Sequence, residues 1–404
     1  MKGTEFKEII NCVACNNSGL NVTLDLGNQP LANDFLETKS DFETYPLKLV
    51  RCTSCSHSQL SIAVNPNRLF REYSYISGTS KTLSNYFENL ATIILKEFGP
   101  NGKILDIGSN DGSFLSKFKH TKWSILGVDP AINLISSSLA LGIVTIPTFF
   151  DQSISKFLAK DFDVIVAMNI FAHTDNPLEI LHGIKECLKE NGKAYIQTSQ
   201  ADMFISGQFD TVYHEHISFF NVKSMEALLN RAGLYLSNVS ITEIHGNSYL
   251  WEITKNPGKQ NNFERRVFEI NEGFYSESLY LDFFKIAQSR AAEVKKIVEE
   301  YREKGFSIVS YGAAAKGNTF INFAGIKLDY IFDDTPQKIG RYSPAGGCKV
   351  SDPKILREIK SAVLVIIPAW NFKEEILAKI GTLRNNSTDY YLTYFPEIDQ
   401  NRIY

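Results

Sequence analysis

Four ionisable side chains, Tyr213, His214, Glu215 and His216, stand in a row near the middle of the chain. Histidine changes its charge near neutral pH, and a neighbouring carboxylate raises its basicity. The chain has only seven histidines, so two within three residues form a concentration of acid/base groups. Such a cluster suits the removal of a proton from carbon. A solvated polar loop ahead of the apolar residues 217–220 is the alternative, and these four residues alone do not separate the two interpretations.

Four of the six cysteines form two C-x-x-C pairs, Cys12 with Cys15 and Cys52 with Cys55. Two such pairs complete the tetrahedral sulfur shell that zinc prefers, and four protein ligands leave no open position for chemistry. The sequence therefore predicts a structural zinc site. His57 is a further candidate ligand, ranked below the cysteines, and free or redox-active thiols are the weaker alternative.

A glycine-rich turn with the sequence DIGSNDG, residues 106–112, follows an apolar strand and opens a helix. It is neither the dinucleotide pattern G-x-G-x-x-G nor a phosphate-binding P-loop. The turn resembles the first motif of S-adenosylmethionine-dependent methyltransferases, in which glycines let the backbone pass close to the amino-acid part of the cofactor. A generic nucleotide-binding α/β domain is the alternative. The predicted cofactor-binding residues are Asp106, Gly108, Asn110, Gly112, Asp129 and Asn169.

Some of these residues stand at the carboxyl ends of strands, where an open α/β sheet binds its ligands. Asp129 ends the second strand, where a carboxylate can accept both hydroxyl groups of a ribose. Asn169 and His173 follow the fourth strand and are candidates to face the transferred methyl group, although His173 could equally cap a helix. Phe149 and Phe150 follow the third strand, and a place in the core is favoured over one in an adenine pocket.

A second strand–turn–helix stands in the C-terminal part, at residues 311–319 with the sequence YGAAAKGNT. Its small residues permit a close approach of the backbone, the helix N-terminus favours an anion, and Lys316 adds a positive charge. Asn318 stands where a Walker loop would have lysine, so this is a different motif. An anion clamp with an aromatic platform would suit a nucleoside diphosphate, and tight packing is the alternative. The predicted substrate-binding residues here are Lys316, Asn318, Asp333, Arg341, Trp370 and Asn371.

The elements that position these groups alternate between strands and helices, which is typical of a mainly parallel, doubly wound sheet. Apolar runs predict strands at residues 103–108, 124–129, 143–146, 162–168 and 193–198, and a second series at 307–311, 329–332 and 362–367. Apolar periodicity predicts helices over residues 80–98 and 279–304. We therefore predict three domains, at residues 1–75, 76–260 and 261–404.

The composition is that of an ordinary globular protein, with 44% hydrophobic and 22% charged residues among 404. A net charge of −3 gives no basic footprint for nucleic acid. No segment approaches the roughly 20 apolar residues of a membrane helix, and the first residues have no apolar signal region. We expect a cytoplasmic protein without nucleic-acid or membrane partners, as a monomer or a weak dimer.

Taken in order, the motifs resemble those of the nucleotide-sugar C-methyltransferases, which modify NDP-4-keto-deoxysugars. The resemblance covers nearly the whole chain. It rests on the two cysteine pairs and on residues 26–33 (LGNQPLAN), 105–112 (LDIGSNDG), 213–216 (YHEH), 311–318 (YGAAAKGN) and 369–371 (AWN). It implies an α/β protein with an N-terminal zinc-binding module and a class I methyltransferase domain, whose Rossmann-like sheet binds S-adenosylmethionine. It also implies a second, C-terminal Rossmann-like domain that helps to hold the nucleotide sugar.

The resemblance also implies a mechanism. A 4-keto group acidifies the proton on the adjacent C3, a base removes this proton, and the resulting enolate carbon takes the methyl group. By similarity His216 is the base, Glu215 orients or polarises a histidine, and Tyr213 donates a hydrogen bond to the enolate oxygen. His173 and Tyr75 are lesser candidates at the same site.

The chain departs from the family pattern after residues 244–246, where a glycine, a serine and a Leu-Arg pair commonly follow. Here residues 247–251 read NSYLW, so an arginine is lost and bulk is added beside His245, which is a predicted substrate ligand. This change alters the charge and shape of the substrate site. Methyl transfer to a sugar oxygen or nitrogen is the first alternative function, and a non-catalytic, zinc-containing assembly protein is the second.

Overall fold

The computed structural model describes residues 5–73, 76–244, 246–258, 261–384 and 386–403. The chain forms two compact units, each assembled from separate stretches of sequence. The first unit is Met1–Asn21, Val50–Asp202 and Glu215–Ser276, and the second is Val22–Leu49, Met203–His214 and Glu277–Tyr404. The predicted domain bounds at residues 75 and 260 stay a prediction.

The N-terminal part of the chain consists of short strands. They are β1 Phe6–Glu8, β2 Leu20–Pro30, β3 Thr44–Cys52, β4 Ser58–Leu60 and β5 Ile62–Val64, followed by helix α1 Pro66–Phe70. β1 pairs antiparallel with β5. Strand β4 pairs antiparallel with β11, Ser218–Phe219. The residues that follow His216 are therefore held by the strand that follows the second cysteine pair.

The main sheet of the first unit joins parallel strands to an antiparallel hairpin. Its strands are β6 Lys103–Ile107, β7 Ser124–Val128, β8 Thr145–Ile146, β9 Phe162–Met168, β10 Leu188–Thr198, β12 Tyr235–Thr242 and β13 Ser248–Thr254. They lie in the order β12–β13–β10–β9–β6–β7–β8. Strands β6 to β10 are parallel, and β13 runs antiparallel to both β10 and β12. The predicted parallel strands are confirmed, and the hairpin β12–β13 extends the sheet beyond them.

Helices cover both faces of this sheet. They are α2 Lys81–Phe98, α3 Ile135–Ala140, α4 Gln152–Ser155, α5 Pro177–Cys187, α7 Val222–Ala232 and α8 Phe263–Asn271, while α6 Met203–Ser206 belongs to the second unit. In β9, Ile165 and Ala167 share a core with residues of α5 and α7, whereas Val164 and Val166 share one with residues of α2. All four side chains are 0% exposed, as expected for a central parallel strand.

The second unit has its own α/β sheet. Its elements are α9 Glu277–Glu303, β14 Ser307–Tyr311, α10 Ala315–Ala324, β15 Tyr330–Phe332, β16 Val350–Ser351, β17 Val363–Ile366, α11 Lys373–Leu383, β18 Tyr390–Thr393 and β19 Asp399–Arg402. The strand order is β16–β15–β14–β17–β18–β19, parallel except for β19. The predicted second Rossmann-like sheet is therefore confirmed.

Helix α9 buries one side along its length. The buried residues are Tyr280, Phe283, Ala287, Ala291, Val294, Val298 and Tyr301, which confirms the predicted apolar stripe. Gly305 follows the helix with φ of 85°, the left-handed conformation in which glycine commonly ends helices. Although α9 has 27 residues, no helix in the described part of the chain is both long enough and apolar enough to cross a membrane.

A buried carboxylate links three elements of the first unit. Glu269 in α8 is 0% exposed and accepts hydrogen bonds from Val222 N at 3.0 Å, from Tyr249 Oη at 2.6 Å and from Tyr275 Oη. The Arg265 guanidinium lies 3.8 Å away. Burial raises the pKa of Glu269 above its ordinary value, and these hydrogen bonds and Arg265 oppose that rise. The network holds α8 against the start of α7 and against β13.

We predict that Glu269→Ala lowers the free energy of unfolding by about 3–5 kcal/mol, because it leaves buried donors without their acceptor. Equilibrium unfolding in urea at neutral pH, followed by circular dichroism, measures the change. Glu264→Ala is the matched control, since Glu264 is exposed on the same helix, and it should change stability by less than about 0.5 kcal/mol. A loss below about 1 kcal/mol for Glu269→Ala would contradict a stabilising role of the network.

Candidate active site

The four paired cysteines meet in the first unit. Cys12 Sγ lies 3.5 Å from Cys55 Sγ, and Cys15 Sγ lies 3.5 Å from Cys52 Sγ. All four sulfur atoms lie within 4.8 Å of one another. Zinc–sulfur bonds of about 2.3 Å in a tetrahedron give sulfur–sulfur distances of about 3.8 Å. The structure thus brings the four predicted ligands together in a set that fits zinc.

Both cysteine pairs sit in the same kind of turn. Asn16 N donates to Cys12 O at 2.8 Å, and Ser56 N donates to Cys52 O at 3.0 Å. Asn16 and Ser56 have φ of 65° and 60°, a left-handed backbone that short polar residues adopt more readily than bulky ones. A hydrogen bond with Cys55 lowers the pKa of Cys12 to about 4, which favours the thiolate form that binds metals.

His57 is packed beside the cysteine cluster and does not join it. Its ring lies 4.6 Å from that of Phe220, and its Nε2 is 3.3 Å from Ser218 Oγ. Burial lowers the pKa of His57 to about 4, although Cys12 opposes the change, so the ring is neutral. His57 therefore supports strand β11, and the four cysteines are sufficient for the metal.

The turn after β6 has the backbone that its glycines predict. Gly108 and Gly112 have φ of 75° and 80°, which residues with a side chain rarely adopt. A Cβ atom at Gly108 would lie 2.3 Å from Ile170 Cγ2. The backbone therefore passes directly against the residue that follows Asn169, at the carboxyl ends of two adjacent strands.

Asp129 holds this turn in place. Its carboxylate accepts hydrogen bonds from Asn110 N and from Ala131 N, both at 2.8 Å. Burial raises the pKa of Asp129, and the two backbone hydrogen bonds oppose the rise. A carboxylate has about four acceptor positions, so positions remain for the hydroxyl groups of a ribose.

Two more polar groups at this edge of the sheet point to a ligand. Asp106 Oδ1 and Asn169 Oδ1 are buried without a hydrogen-bond partner among the residues that the structure describes. Burial, and after it the charge of Asp129, raise the pKa of Asp106 well above its ordinary value. A cationic or donor group would stabilise these oxygens. S-adenosylmethionine carries an ammonium group and hydroxyl groups, so the residues present fit this cofactor.

Tyr73 and Ser77, which precede α2, are each hydrogen-bonded to an asparagine near the carboxyl ends of the strands. Tyr73 N donates to Asn133 Oδ1 at 3.0 Å, and Asn133 Nδ2 donates to Tyr73 O at 2.9 Å. Ser77 N donates to Asn110 Oδ1 at 2.9 Å. Ser77 therefore contacts the cofactor turn, and sequence reasoning did not single out either Tyr73 or Ser77. Tyr75, a predicted catalytic residue, lies outside the described residues.

The first unit brings three predicted catalytic residues together. The rings of His173 and His216 lie 5.1 Å apart, and Tyr73 Oη donates to Glu215 Oε2 at 3.3 Å. Phe70 stacks on His173 at 5.7 Å. Glu215 and His216 are only 3% and 6% exposed, which excludes a solvated loop. Sequence reasoning missed Phe70 and Tyr73, because nothing local connects Phe70 to His173 or Tyr73 to Glu215 so far along the chain.

The row of four ionisable residues is divided between the two units. Tyr213 and His214 belong to the second unit, and Glu215 and His216 belong to the first. His214 is 1% exposed and lies edge-on to Tyr45 at 5.9 Å. Burial lowers the pKa of His214 to about 4, so this ring is neutral and has a packing role. Only part of the row is therefore available for acid/base chemistry.

The second unit repeats the construction of the cofactor turn. Asp333 accepts hydrogen bonds from Ala313 N and Thr335 N, both at 2.8 Å, and from Lys338 Nζ at 3.2 Å. Burial raises the pKa of Asp333, but Lys338 and the hydrogen bonds together lower it below its ordinary value. Asp333 thus stabilises the turn and is neutralised by lysine, and its role in substrate binding stays a prediction.

The other predicted substrate ligands have different surroundings. Lys316 Nζ lies 5.8 Å from the ring centre of Trp370, so these two are together. Asn318 is buried, and it donates to Ala32 O at 2.7 Å and accepts from Ser343 Oγ at 3.1 Å. Arg341, which pairs with Glu37, and Asn371 are exposed. His245 lies outside the described residues. Lys316 and Trp370 are therefore the best-placed members of the set.

Three family models match successive parts of the chain. They are described as "Putative zinc binding domain", residues 12–70, "Methyltransferase domain", residues 81–239, and "C-methyltransferase C-terminal domain", residues 243–396. The chain is 25% identical to C-methyltransferase NovU of Streptomyces niveus over 390 residues, which cover 92% of both chains. It is 28% identical over 132 residues to the tRNA U34 carboxymethyltransferase of Dichelobacter nodosus, covering 30% of this chain and 39% of that one.

Solved methyltransferase structures align with less than half of the chain. Magnesium protoporphyrin IX methyltransferase of Synechocystis with bound SAH has a TM-score of 0.34 at 11% identity, covering 43% of this chain and 83% of that one. A TehB-like SAM-dependent methyltransferase of Corynebacterium glutamicum has a TM-score of 0.32 at 19% identity, covering 44% and 99%.

The cofactor turn, the cysteine cluster and the matched domains define an S-adenosylmethionine-dependent methyltransferase with a structural zinc site. C-methyltransferase NovU aligns with this chain over almost the full length of both. The C-terminal part of the chain matches the model of a C-methyltransferase C-terminal domain, and the likeness to a C-methyltransferase over 92% of the chain supports the same activity.

We predict one zinc ion per chain that survives dialysis, because four thiolates close the coordination shell. Mass spectrometry of the metal content measures it. Cys52→Ser should lose most of the zinc and unfold at a lower temperature, since a structural metal contributes folding free energy. Cys348→Ser is the control, because that thiol lies in the second unit against Leu328 O, and it should keep the metal. Wild-type protein without stoichiometric zinc would exclude the site.

We predict that Asp129→Asn weakens the binding of S-adenosylhomocysteine by about 10- to 100-fold, because hydrogen bonds to a charged group contribute about 1.5–3 kcal/mol. Titration calorimetry measures the affinity. Asp333→Asn alters the equivalent carboxylate of the second unit and should bind this ligand like the wild type. Equal affinities of Asp129→Asn and wild type would show that Asp129 only supports the turn.

Proposed function

We propose that this C-methyltransferase acts on an NDP-4-keto-deoxysugar and methylates C3 through an enolate. The observation that carries the proposal is the pair of buried residues Glu215 and His216, with the half-buried ring of His173 lying 5.1 Å from that of His216, all in the first unit. Methylation of carbon needs a base that removes a proton, and a neutral imidazole can act as such a base. The full-length likeness to a C-methyltransferase supports carbon as the acceptor.

His216 is the proposed base. It takes the proton from C3, and the electron pair of the broken C–H bond forms the enolate. Glu215 stabilises the imidazolium that results, and Tyr73, which donates to Glu215, keeps the carboxylate oriented. The backbone hydrogen bond from Ile217 N to Ala172 O, at 2.9 Å, supports the position of His216 beside His173.

The remaining parts of the reaction follow from the same chemistry. When bound, S-adenosylmethionine supplies the methyl group on a positively charged sulfur. Tyr213 is the proposed donor to the enolate oxygen, and such a donor acts as an oxyanion hole worth about 10²- to 10³-fold in rate. His173 is the second candidate for the base, since its ring is also held by aromatic packing.

Groups in the second unit support a nucleoside diphosphate as the carrier of the sugar. Lys316 stands in the first turn of α10, where the helix N-terminus and the ammonium group both favour an anion. The indole of Trp370 beside it offers an aromatic face. A diphosphate and a planar base together match a cation next to an aromatic ring.

Exchange of the C3 proton in D2O tests the proposal. Without S-adenosylmethionine, the wild-type protein should exchange C3–H of dTDP-4-keto-6-deoxyglucose, as measured by proton NMR. His216→Ala should exchange at least about 10²-fold more slowly, because it lacks the base. His120→Ala is the control, since His120 is exposed in the same unit, and it should behave like the wild type.

The variants also separate catalysis from binding. His216→Ala should bind S-adenosylhomocysteine with the affinity of the wild type, because it changes no cofactor ligand. Turnover above about a tenth of the wild-type value would remove His216 from the role of base. Absence of exchange in the wild type, with a product methylated at oxygen or nitrogen, would replace the enolate mechanism by transfer to a heteroatom.

A further inference from the structure

Several buried polar atoms of the second unit have no hydrogen-bond partner among the described residues. They are Asp210 Oδ1 and Oδ2, Arg290 Nη1, Trp370 Nε1 and Tyr394 Oη. Asp210 and Tyr394 are both 0% exposed. Buried polar groups are almost always paired in folded proteins, so this group of residues is arranged to receive a polar ligand.

Aromatic packing keeps these residues in one cluster. Tyr394 stacks on Phe320 at 3.7 Å, and Phe320 stacks on Phe209, the neighbour of Asp210, at 5.4 Å. The Arg290 guanidinium lies 4.5 Å from the ring centre of Phe395, the residue after Tyr394. Trp370 lies 6.2 Å from Phe395, and Lys316 lies beside Trp370. The aromatic rings therefore connect Tyr394, Arg290, Trp370 and Lys316 to the turn that carries Asp210.

The donors of the cluster outnumber its acceptors. Arg290, Lys316, Trp370 and Tyr394 donate, and only the carboxylate of Asp210 is purely an acceptor. With Asp210 ionised, the two cations leave a net charge of +1. This balance fits an anion with several acceptor oxygens, and a diphosphate diester, which carries two negative charges, is such an anion.

The charged and titratable groups that face Asp210 come from three elements. They are Lys316 of α10, Arg290 of α9 and Tyr394, which follows β18. Helix α6 packs on the turn Phe209–Thr211, which carries Asp210. Its sequence, MFIS, adds no titratable group. Burial raises the pKa of Asp210 to about 6, although both cations oppose the rise. Glu293 and Glu397 face Arg290 in turn.

We propose that this cluster binds the diphosphate of the substrate and that Asp210 does so as the neutral acid, donating its proton to a phosphate oxygen. The proton comes from solvent, so binding takes up one proton. An ionised, buried carboxylate would repel the diphosphate, whereas the neutral acid adds a donor and raises the net charge of the cluster to +2. This inference rests on the proposed function, because it takes a nucleotide sugar as the substrate.

Titration calorimetry tests it with UDP-glucose, dTDP-glucose and GDP-mannose as probes at pH 7.5. Each titration is repeated in buffers of different ionisation enthalpy, and the slope of the observed enthalpy gives the number of protons taken up. A diphosphate diester lacks the monoester ionisation near pH 6, so the ligand contributes no proton of its own. Wild-type protein should take up about one proton at this pH, where Asp210 is mostly ionised before binding.

Matched variants assign the proton. Asp210→Asn mimics the neutral acid, so it should bind the same probe at least as tightly with a proton uptake near zero. Asp334→Asn removes an exposed carboxylate that pairs with Lys379, and it should keep the wild-type uptake. Arg290→Gln should weaken binding by more than about 10-fold, because it removes a cation of the cluster.

The outcomes separate this inference from the proposed function. Binding with no proton uptake in the wild type, or with uptake that persists in Asp210→Asn, would overturn the inference and leave the proposed function intact. Failure of all three probes to bind, while S-adenosylhomocysteine still binds, would overturn the nucleotide-sugar proposal and the inference with it. The wild-type proton count decides even if Asp210→Asn does not fold.

Discussion

Both units of this chain depend on a carboxylate that fixes the turn after a neighbouring strand. Asp129 and Asp333 each accept one backbone hydrogen bond from that turn and one from their own loop, all at 2.8 Å. The two turns differ in the further groups that contact the carboxylate. Lys338 neutralises Asp333, while Asp129 keeps acceptor positions for a ligand. The two turns thus share one construction and differ in that Asp333 is paired with a lysine.

Local chemistry explains which parts of the fold can be predicted from the sequence. Apolar runs predict the parallel strands. The positive φ of Gly108 and Gly112 can be predicted too, because glycine adopts positive φ more easily than residues with a side chain. The place of Tyr73 has no such signal, because its partner Glu215 is 142 residues away. The hydrogen bond between Asn318 and Ala32 spans 286 residues. This hydrogen bond links the motif at residues 26–33 to the motif at residues 311–318.

The row of acid/base residues shows a different reason why prediction stops. Adjacent residues look equivalent in the sequence, yet His214 is packed against Tyr45 while His216 lies beside His173. Periodicity cannot separate them, because the chain passes from one unit to the other between His214 and Glu215. Burial then decides the chemistry, since it keeps the ring of His214 neutral. The four residue types together indicate acid/base chemistry, but the type of each residue does not indicate which one takes part in it.

The interleaving of the two units has a consequence for synthesis of the chain. Residues 22–49 leave the ribosome early, but the largest part of their unit begins only at residue 277. At about 5–20 residues per second, the delay is on the order of 10–45 s. During that time Ala32 lacks the amide of Asn318, and Leu36 lacks its bridge to Tyr342. This early segment therefore lacks these partners until most of the chain has been translated.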